Sequence, residues 1–318
     1  KRVAAVRSLR ARRVRNAFFP LVNYLRGCGS DVVLAAMWPL TALVPVAAKV
    51  ARFPGRVVIS EHAPQSIAYS SRGRLHNVLM AWSMKLAYRL ADARVAVSSG
   101  VADDMAGLCG IPRSGITVIH NPAATGRSFT PSTATRPIPA DAGPMIVTVG
   151  TLKPVKRHDL LIRAFARLDI ANAYLCIVGD GQERHRLEAL AMELGVSERV
   201  RMPGFQSDPS SWYAHADLFV LSSDHEGFGN VIVEAMEQGT PVVSTDCPFG
   251  PREILEGGRF GALVPVGDVD ALSAAMKSGL CNPHDRAALR RRAADFSLEK
   301  AATAYLDVLL PCWRTALQ

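Results

Sequence analysis

Acid is missing from the first 30 residues of this 318-residue chain, whereas eight cations stand there: Lys1, Arg2, Arg7, Arg10, Arg12, Arg13, Arg15 and Arg26. The formal net charge is +9, from 37 Lys and Arg against 28 Asp and Glu, so removing that leader leaves a body within one charge of neutral. A nucleic-acid coat needs a broad cationic face, and this distribution excludes one. Paired cysteines are also missing. The six, at 28, 109, 176, 247, 281 and 312, form no Cys-x-x-Cys, which excludes a structural zinc site and a disulfide scaffold. Cys176 lies inside an apolar run, as a buried free thiol does, and the pattern fits a reducing, cytoplasmic setting. Long hydrophobic runs are lacking too. The stretch Val32–Ala48 falls short of the ~20 residues a span requires and is broken by Pro39, Thr41 and Pro45. It reads as a strand followed by a helix.

Spaced metal ligands are equally scarce. Asp268-Val269-Asp270 stands where a helix begins and reads as a cap. Asp224-His225-Glu226 is contiguous, and adjacent side chains rarely converge on one ion. No metal and no cofactor are expected. No repeat of solenoid length occurs.

What is present is a globular composition, 49% apolar and 20% charged, over a length that suggests two domains. From residue 30 short apolar runs alternate with helical ones. Strands are expected at 31–37, 56–60, 93–98 and 116–119, with a polar helical stretch at 75–90. Residues 123–143 are rich in Pro, Ser, Thr and Ala and read as a linker. A second alternation follows. Its expected strands are 145–150, 173–179, 217–222, 241–245 and 262–266, and its expected helices are 157–168, 182–194, 230–238 and 269–278. Alternation of this kind predicts an α/β chain of two tandem, doubly wound parallel-sheet domains. The boundaries are residues 1–122, the linker 123–143, a ligand-binding domain 144–300, and a last helix, 301–318, returning to the first domain.

Chemistry concentrates between Ser222 and Asp246. A strand ends, Glu226-Gly227-Phe228-Gly229 forms a loop, and a helix starts at Asn230. Glycines at a helix mouth let backbone amides approach an anion, and the helix dipole favours negative charge there. Glu234 lies one turn beyond Asn230, where a carboxylate accepts hydrogen bonds from vicinal hydroxyls such as those of a ribose. The alternatives are that Gly-Phe-Gly is turn chemistry and Glu234 a solvated helix residue. The dinucleotide fingerprint is incomplete, because Ile232 occupies its third glycine position. A second anion site opens the second domain, where Lys153, Lys156 and Arg157 gather just before a helix; solvated surface cations are the alternative there.

Taken together, Val149-Gly150-x-Leu152-x-x-x-Lys156, Gly179-Asp180-Gly181, Pro203-Gly204-Phe205 and Glu226-Gly227-Phe228-Gly229…Glu234-Ala235…Gly239-x-Pro241-Val242-Val243 resemble the second domain of retaining glycosyltransferase family 4, of GT-B fold. The resemblance covers residues 95 to 300 in one order. It implies transfer of a sugar from a nucleotide-diphosphate donor, a UDP-sugar type, to a glycan or polyprenyl-linked acceptor in cell-surface polysaccharide synthesis. It implies no metal and a peripheral position at the inner membrane face, reached through residues 1–30. Lys156 matches the lysine on the donor diphosphate, with Gly150 and Arg157 beside it, and Glu234 the glutamate on the ribose. Glu226 and the amides of Gly227, Phe228, Gly229 and Asn230 match the loop around donor sugar and phosphate. Phe205 falls where the base is held. His62 matches a strand-end histidine that faces the donor sugar, and a locally satisfied histidine is its alternative. Two departures stand out. Thr151 replaces a frequent arginine, and nothing before Arg26 matches the strand and Gly-rich loop that open the family's first domain, which predicts a chain shortened at its amino end. The rival readings are an epimerase or phosphorylase of the same fold, or a non-catalytic nucleotide-sugar-binding or membrane-binding protein.

Overall fold

The computed structural model describes residues 14–68, 73–126, 136–139 and 141–315. The chain divides into two compact units, Lys1–His120 with Ala302–Gln318, and Asn121–Ala301. Residues 1–13 of the basic leader, and 127–135 and 140 of the expected linker, lie outside the described residues.

The second unit is built on six parallel strands, β5 (Met145–Val149), β6 (Tyr174–Val178), β7 (Val200–Gly204), β8 (Leu218–Leu221), β9 (Val242–Thr245) and β10 (Ala262–Val264). The order across the sheet is β10-β9-β8-β5-β6-β7. The chain thus lays three strands in one direction, returns to the middle and lays three in the other. β8 (LFVL) is buried along its length and β5 (MIVTV) up to its last residue, which explains why both are largely apolar on both faces. Helices cover the sheet. Leu160, Leu161, Ile162, Ala164 and Phe165 of α6 (His158–Ala166) are all buried in the core that β5, β6 and β8 share. The Asp268 carboxylate accepts the amide of Ala271 at 2.9 Å and so caps α11 (Val269–Cys281).

The reversal leaves a gap. The β5–β6 ladder runs from Met145↔Tyr174 to Val149↔Val178, whereas the β5–β8 ladder comprises Ile146↔Leu218 and Val147↔Phe219 and stops there. β5 and β8 therefore part before their carboxyl ends. In open α/β sheets such a switch point is where ligands bind.

The first unit carries β1 (Val32–Ala36), β2 (Arg56–Glu61), β3 (Ala93–Ala96) and β4 (Thr117–Val118), all parallel and in sequence order. Its helices include α2 (Leu40–Ala51), α3 (Gln65–Ala68), α4 (Arg74–Ala87) and α5 (Ser99–Cys109). Glu61, at the end of β2, is fully buried. Its carboxylate accepts hydrogen bonds from the Thr41 hydroxyl, the Tyr88 hydroxyl and, at 2.7 Å, the Gln65 amide. One buried carboxylate thus ties β2 to α2, to α3 and to the end of α4. The last helix, α13 (Leu298–Leu309), places Tyr305 and Val308 in this unit. The Tyr305 hydroxyl lies 3.0 Å from Ser60 Oγ, and the Val308 carbonyl accepts from Arg56 at 3.0 Å.

The structure differs from the expected pattern in two places. Residues 200–204 carry no strand signal in the sequence, because Arg201 and Pro203 interrupt them, yet they form the edge strand β7. The stretch expected as a polar helix, 75–90, is helical to Ala87 but turns apolar side chains outward.

Close approach of chain segments beneath the gap depends on glycine. A Cβ on Gly179, at φ +143°, would stand 2.0 Å from the Gly150 carbonyl oxygen. Gly179→Ala should lower the unfolding free energy by about 3 kcal/mol in urea denaturation. Gly195→Ala, also at positive φ but in open space, should cost about 1 kcal/mol. Equal losses at the two sites would refute the close-packing assignment.

Candidate functional site

Two loops rise at the carboxyl ends of the parted strands. The first runs from Gly150 to Arg157 after β5, the second from Ser222 to Gly229 after β8. They are stitched together through their backbone carbonyls. The Ser222 hydroxyl donates to the Lys156 carbonyl at 2.8 Å, and the Asp224 amide to the Val155 carbonyl at 2.9 Å. The Thr245 hydroxyl, at the end of β9, donates to the Ser223 carbonyl at 2.7 Å.

This stitching brings Lys156 and Glu226 together. Lys156 Nζ donates to both Glu226 carboxylate oxygens, at 2.7 and 2.9 Å, and the Ser223 hydroxyl donates to one of them at 2.6 Å. The lysine side chain keeps 24% exposure and the glutamate 11%. A half-buried ion pair of this kind is an exchangeable arrangement, because an incoming anion can take over the ammonium. His158, two residues on, is buried, and burial pushes its imidazole down to about 4, with the Lys156 charge acting in the same sense. It adds no second positive charge at neutral pH.

The second loop ends at α9 (Asn230–Glu237), whose N-cap is Gly229 at φ +102°. The first amides of α9 therefore carry no side-chain cap. The Asn230 side-chain oxygen accepts from Asn121 at 3.0 Å. One turn on, the Glu234 carboxylate accepts the Tyr213 hydroxyl at 2.8 Å, from α8 (Ser210–His215). Burial raises the Glu234 carboxyl above its ordinary range, the Tyr213 hydrogen bond opposes this, and the nearby charge of Glu237 reinforces it. On the other side of Lys156 lies a cavity of about 240 Å³ lined by Val149, Gly150, Thr151, Val178, Gly179, Asp180, Phe205 and Gln206. Phe205 is 76% exposed at its rim, a free aromatic face over a slot between backbone turns.

Gly150, Lys156, Phe205, Glu226, Gly227, Gly229, Asn230 and Glu234 thus all lie around one switch point. The side chains of two expected site residues are engaged elsewhere, although for Phe228 only the backbone amide was expected at the site. The Phe228 ring is 2% exposed and packs edge-on against Phe296, 5.4 Å between centroids, so its side chain belongs to the core and its backbone alone faces the loop. The Arg157 guanidinium is engaged by Asp159 at 3.1 Å and Asp224 at 3.0 Å, which fixes the turn and withdraws its charge from the crevice. His62 lies in the other unit, at the end of β2, where its Nε2 stands 3.2 Å from Ser60 Oγ. Sequence reasoning missed Tyr213 and Ser223, each of which orients a site carboxylate; no local pattern marks them, since their role arises where separate segments meet. Among the described residues no three His, Cys, Asp or Glu side chains gather as a metal site.

Comparison with known proteins accords with this geometry. Residues 135–296 match the family model of the glycosyl transferases group 1, and residues 2–127 match Glycosyltransferase Family 4. The lipopolysaccharide core biosynthesis glycosyltransferase LpsE of Rhizobium meliloti is 34% identical over 275 residues, covering 77% of this chain and 79% of that protein. The chain belongs to the group 1 glycosyl transferases. An N-acetylgalactosaminyltransferase of Campylobacter jejuni, acting by its name on a diphospho-undecaprenol, is 31% identical, over 75% of this chain and 64% of that protein. Among solved structures, the lipopolysaccharide outer core galactosyltransferase WaaB in its apo form gives a TM-score of 0.74 at 22% identity, over 92% of this chain and 78% of that one. Anabaena HepE in complex with UDP gives 0.72 at 23%, over 91% and 80%. These likenesses establish the GT-B fold for this glycosyltransferase.

The raised Glu234 sets a pH dependence for the unliganded protein. A carboxyl raised in the folded state contributes stability below its unfolded value of 4.5 and loses it as pH rises through the folded value. Glu234→Gln keeps an acceptor for Tyr213 and removes the titration. Its unfolding free energy relative to the parent protein should therefore increase from pH 4.5 to neutrality. A difference that stays flat or decreases would contradict the burial assigned to Glu234.

Proposed function

We propose that this glycosyltransferase moves a sugar from a nucleotide-diphosphate donor, a UDP-sugar type, to a glycan or polyprenyl-linked acceptor with retention of anomeric configuration. The observation that carries this reading is the Lys156–Glu226 pair at the switch point, beside the open amino end of α9 and one turn from the Tyr213-oriented Glu234. In this reading Lys156 and the amides at Gly227–Asn230 hold the diphosphate, and Glu234 accepts the two ribose hydroxyls. The base lies in the cavity beneath Phe205, and Glu226 turns from Lys156 to the donor sugar. Breaking the bond between the anomeric carbon and the phosphate oxygen leaves its electron pair on the diphosphate. The ammonium and amides are already oriented towards that charge, which is the stabilisation that lowers such barriers most. The acceptor hydroxyl attacks on the same face, its oxygen bonds the anomeric carbon, and its proton passes to the departing phosphate. His62 positions or polarises the donor sugar. Lys156 and the amides at the start of α9 meet the charge on the diphosphate, so in this reading the reaction proceeds without a metal.

The relatives named for lipopolysaccharide synthesis and for a diphospho-undecaprenol substrate support an acceptor in cell-surface polysaccharide assembly. An acceptor of that kind lies at the cytoplasmic face of a membrane. No helix among the described residues is long and apolar enough to cross one. Peripheral contact through residues 1–30 serves that purpose, since each cation near an anionic leaflet contributes roughly 1 kcal/mol.

Calorimetry and transfer assays test the reading. Glu234→Ala should weaken UDP binding at least tenfold, the loss of charge-assisted hydrogen bonds. Lys156→Ala should lower kcat/KM on the order of 10²–10³-fold, as removal of one preorganised donor does. Transfer should persist in EDTA, and NMR should show the donor's anomeric configuration in the product. Unchanged UDP affinity in Glu234→Ala refutes the ribose assignment. Loss in EDTA restored by Mn²⁺ refutes the metal-free step, and an inverted product refutes retention.

A further inference from the structure

Helix α4 and the turn after it, Tyr88–Leu90, present an apolar face to solvent. Leu75, Val78, Leu79, Trp82, Leu86 and Leu90 are between 43% and 74% exposed. Their spacing places them on one side of the helix, opposite the buried Met80, Met84 and Ala87 that anchor it. Arg74, Lys85 and Arg89 are also exposed, and at 100° per residue they project along one flank of that face. The segment between Glu61 and Asp92 contains no acid. The carboxylates of α5, which packs against α4, are engaged: Asp103 pairs with Arg113 at 2.7 Å, and Asp104 accepts the Ser66 amide at 3.3 Å. Leu90, at the end of the stripe, also lines a cavity of about 600 Å³ with the exposed cations Lys49 of α2 and Arg52 just beyond it. The Asp92 carboxylate in that cavity is turned to the Val57 amide at 2.7 Å.

A patch of this composition on a protein surface marks a docking site, and its charge selects the occupant. In an isologous dimer the same cations would face each other, and a soluble glycan leaves six apolar side chains uncovered. An anionic bilayer meets both demands, offering acyl chains below the headgroups and negative charge among them. Tryptophan settles at that boundary, and Lys and Arg reach from an embedded helix to the headgroup level. We propose that α4 lies in the surface of an anionic lipid bilayer, with its apolar face below the headgroups and Arg74, Lys85 and Arg89, flanked by Lys49 and Arg52, among the phosphates. This deepens the peripheral contact proposed above and rests on it only for the choice of an anionic surface. The leader supplies eight cations, whereas α4 adds an apolar stripe of six side chains, the combination that makes surface binding firm.

The test measures partition of the full chain onto phosphatidylcholine vesicles with and without phosphatidylglycerol. Leu79→Glu/Trp82→Glu should lower partition onto the anionic vesicles at least tenfold. Arg74→Gln/Lys85→Gln/Arg89→Gln should lower it severalfold and flatten its salt dependence. Quenching of tryptophan by brominated acyl chains should be present in the parent chain and lost in Trp82→Phe, which retains the fold and an apolar ring. UDP calorimetry on each variant reports the donor site separately, so failure of the donor reading is distinguishable from failure of the docking reading. Parent-like partition of the Leu79/Trp82 variant overturns the proposal, as does binding abolished only by Arg7→Gln/Arg10→Gln/Arg12→Gln/Arg13→Gln in the leader. Sedimentation showing a parent dimer that the α4 variants dissociate would assign the face to a second copy instead, and likewise overturns it.

Discussion

The site depends on one constraint, the parting of β5 from β8. A parallel sheet that grows first to one side and then to the other leaves two neighbouring strands whose following loops turn in opposite directions. Here the ladder between them ends at Val147 while β5 continues to Val149. The crevice that opens is floored by backbone and walled by the loops after each strand. Lys156 comes from one wall and Glu226 from the other, and the two meet across the gap. The glycines serve the same opening. Gly179 lets the turn after β6 pass against Gly150, and Gly229 bares the amino end of α9.

Within that crevice, polar side chains are held in tension rather than at rest. Lys156 and Glu226 satisfy each other, so neither charge is stranded before a ligand arrives, and either can change partner at modest cost. Glu234 is held by Tyr213 in surroundings that disfavour its ionised form. Burial penalises its charge, and the Tyr213 hydroxyl offsets part of that penalty. Glu61 plays the opposite part in the first unit. Fully buried and hydrogen-bonded by three side chains, it locks the end of β2 from which His62 projects.

The first unit also shows why charge arithmetic alone misleads. The leader dominates the total, yet the surface with the clearest physical demand for a partner is α4, where cations and large apolar side chains share one helix face. The sequence reads this stretch as a polar helix because Arg74, His76, Asn77, Ser83, Lys85 and Arg89 are scattered through it. Periodicity identifies an apolar stripe, but not whether that stripe faces a core. Met80 and Met84 were taken inward, and Trp82 and Leu79 were left outside, by the packing of α2 and α5 against α4.

Five of the six strands of the second unit, and its helices α6, α9 and α11, were legible to within a few residues, because strands buried on both faces must be apolar throughout and glycine marks where chains pass closely or helices begin. The places of the Glu226–Asn230 loop, Lys156 and Glu234 stood out as well, from glycines where a helix begins and from the family pattern these residues match. Their mutual arrangement did not. The edge strand β7 needs little hydrophobicity, Phe228 is drawn into the core by Phe296, and Arg157 is taken up by Asp159 and Asp224. Tyr213 and Ser223 become site residues only because distant segments bring their hydroxyls to Glu234 and Glu226. By itself the sequence determined the fold class and the chemistry available at the crevice, since both follow from local composition. The tertiary structure alone decided which charges face the crevice and which apolar faces remain uncovered, since those depend on contacts between residues far apart in the chain.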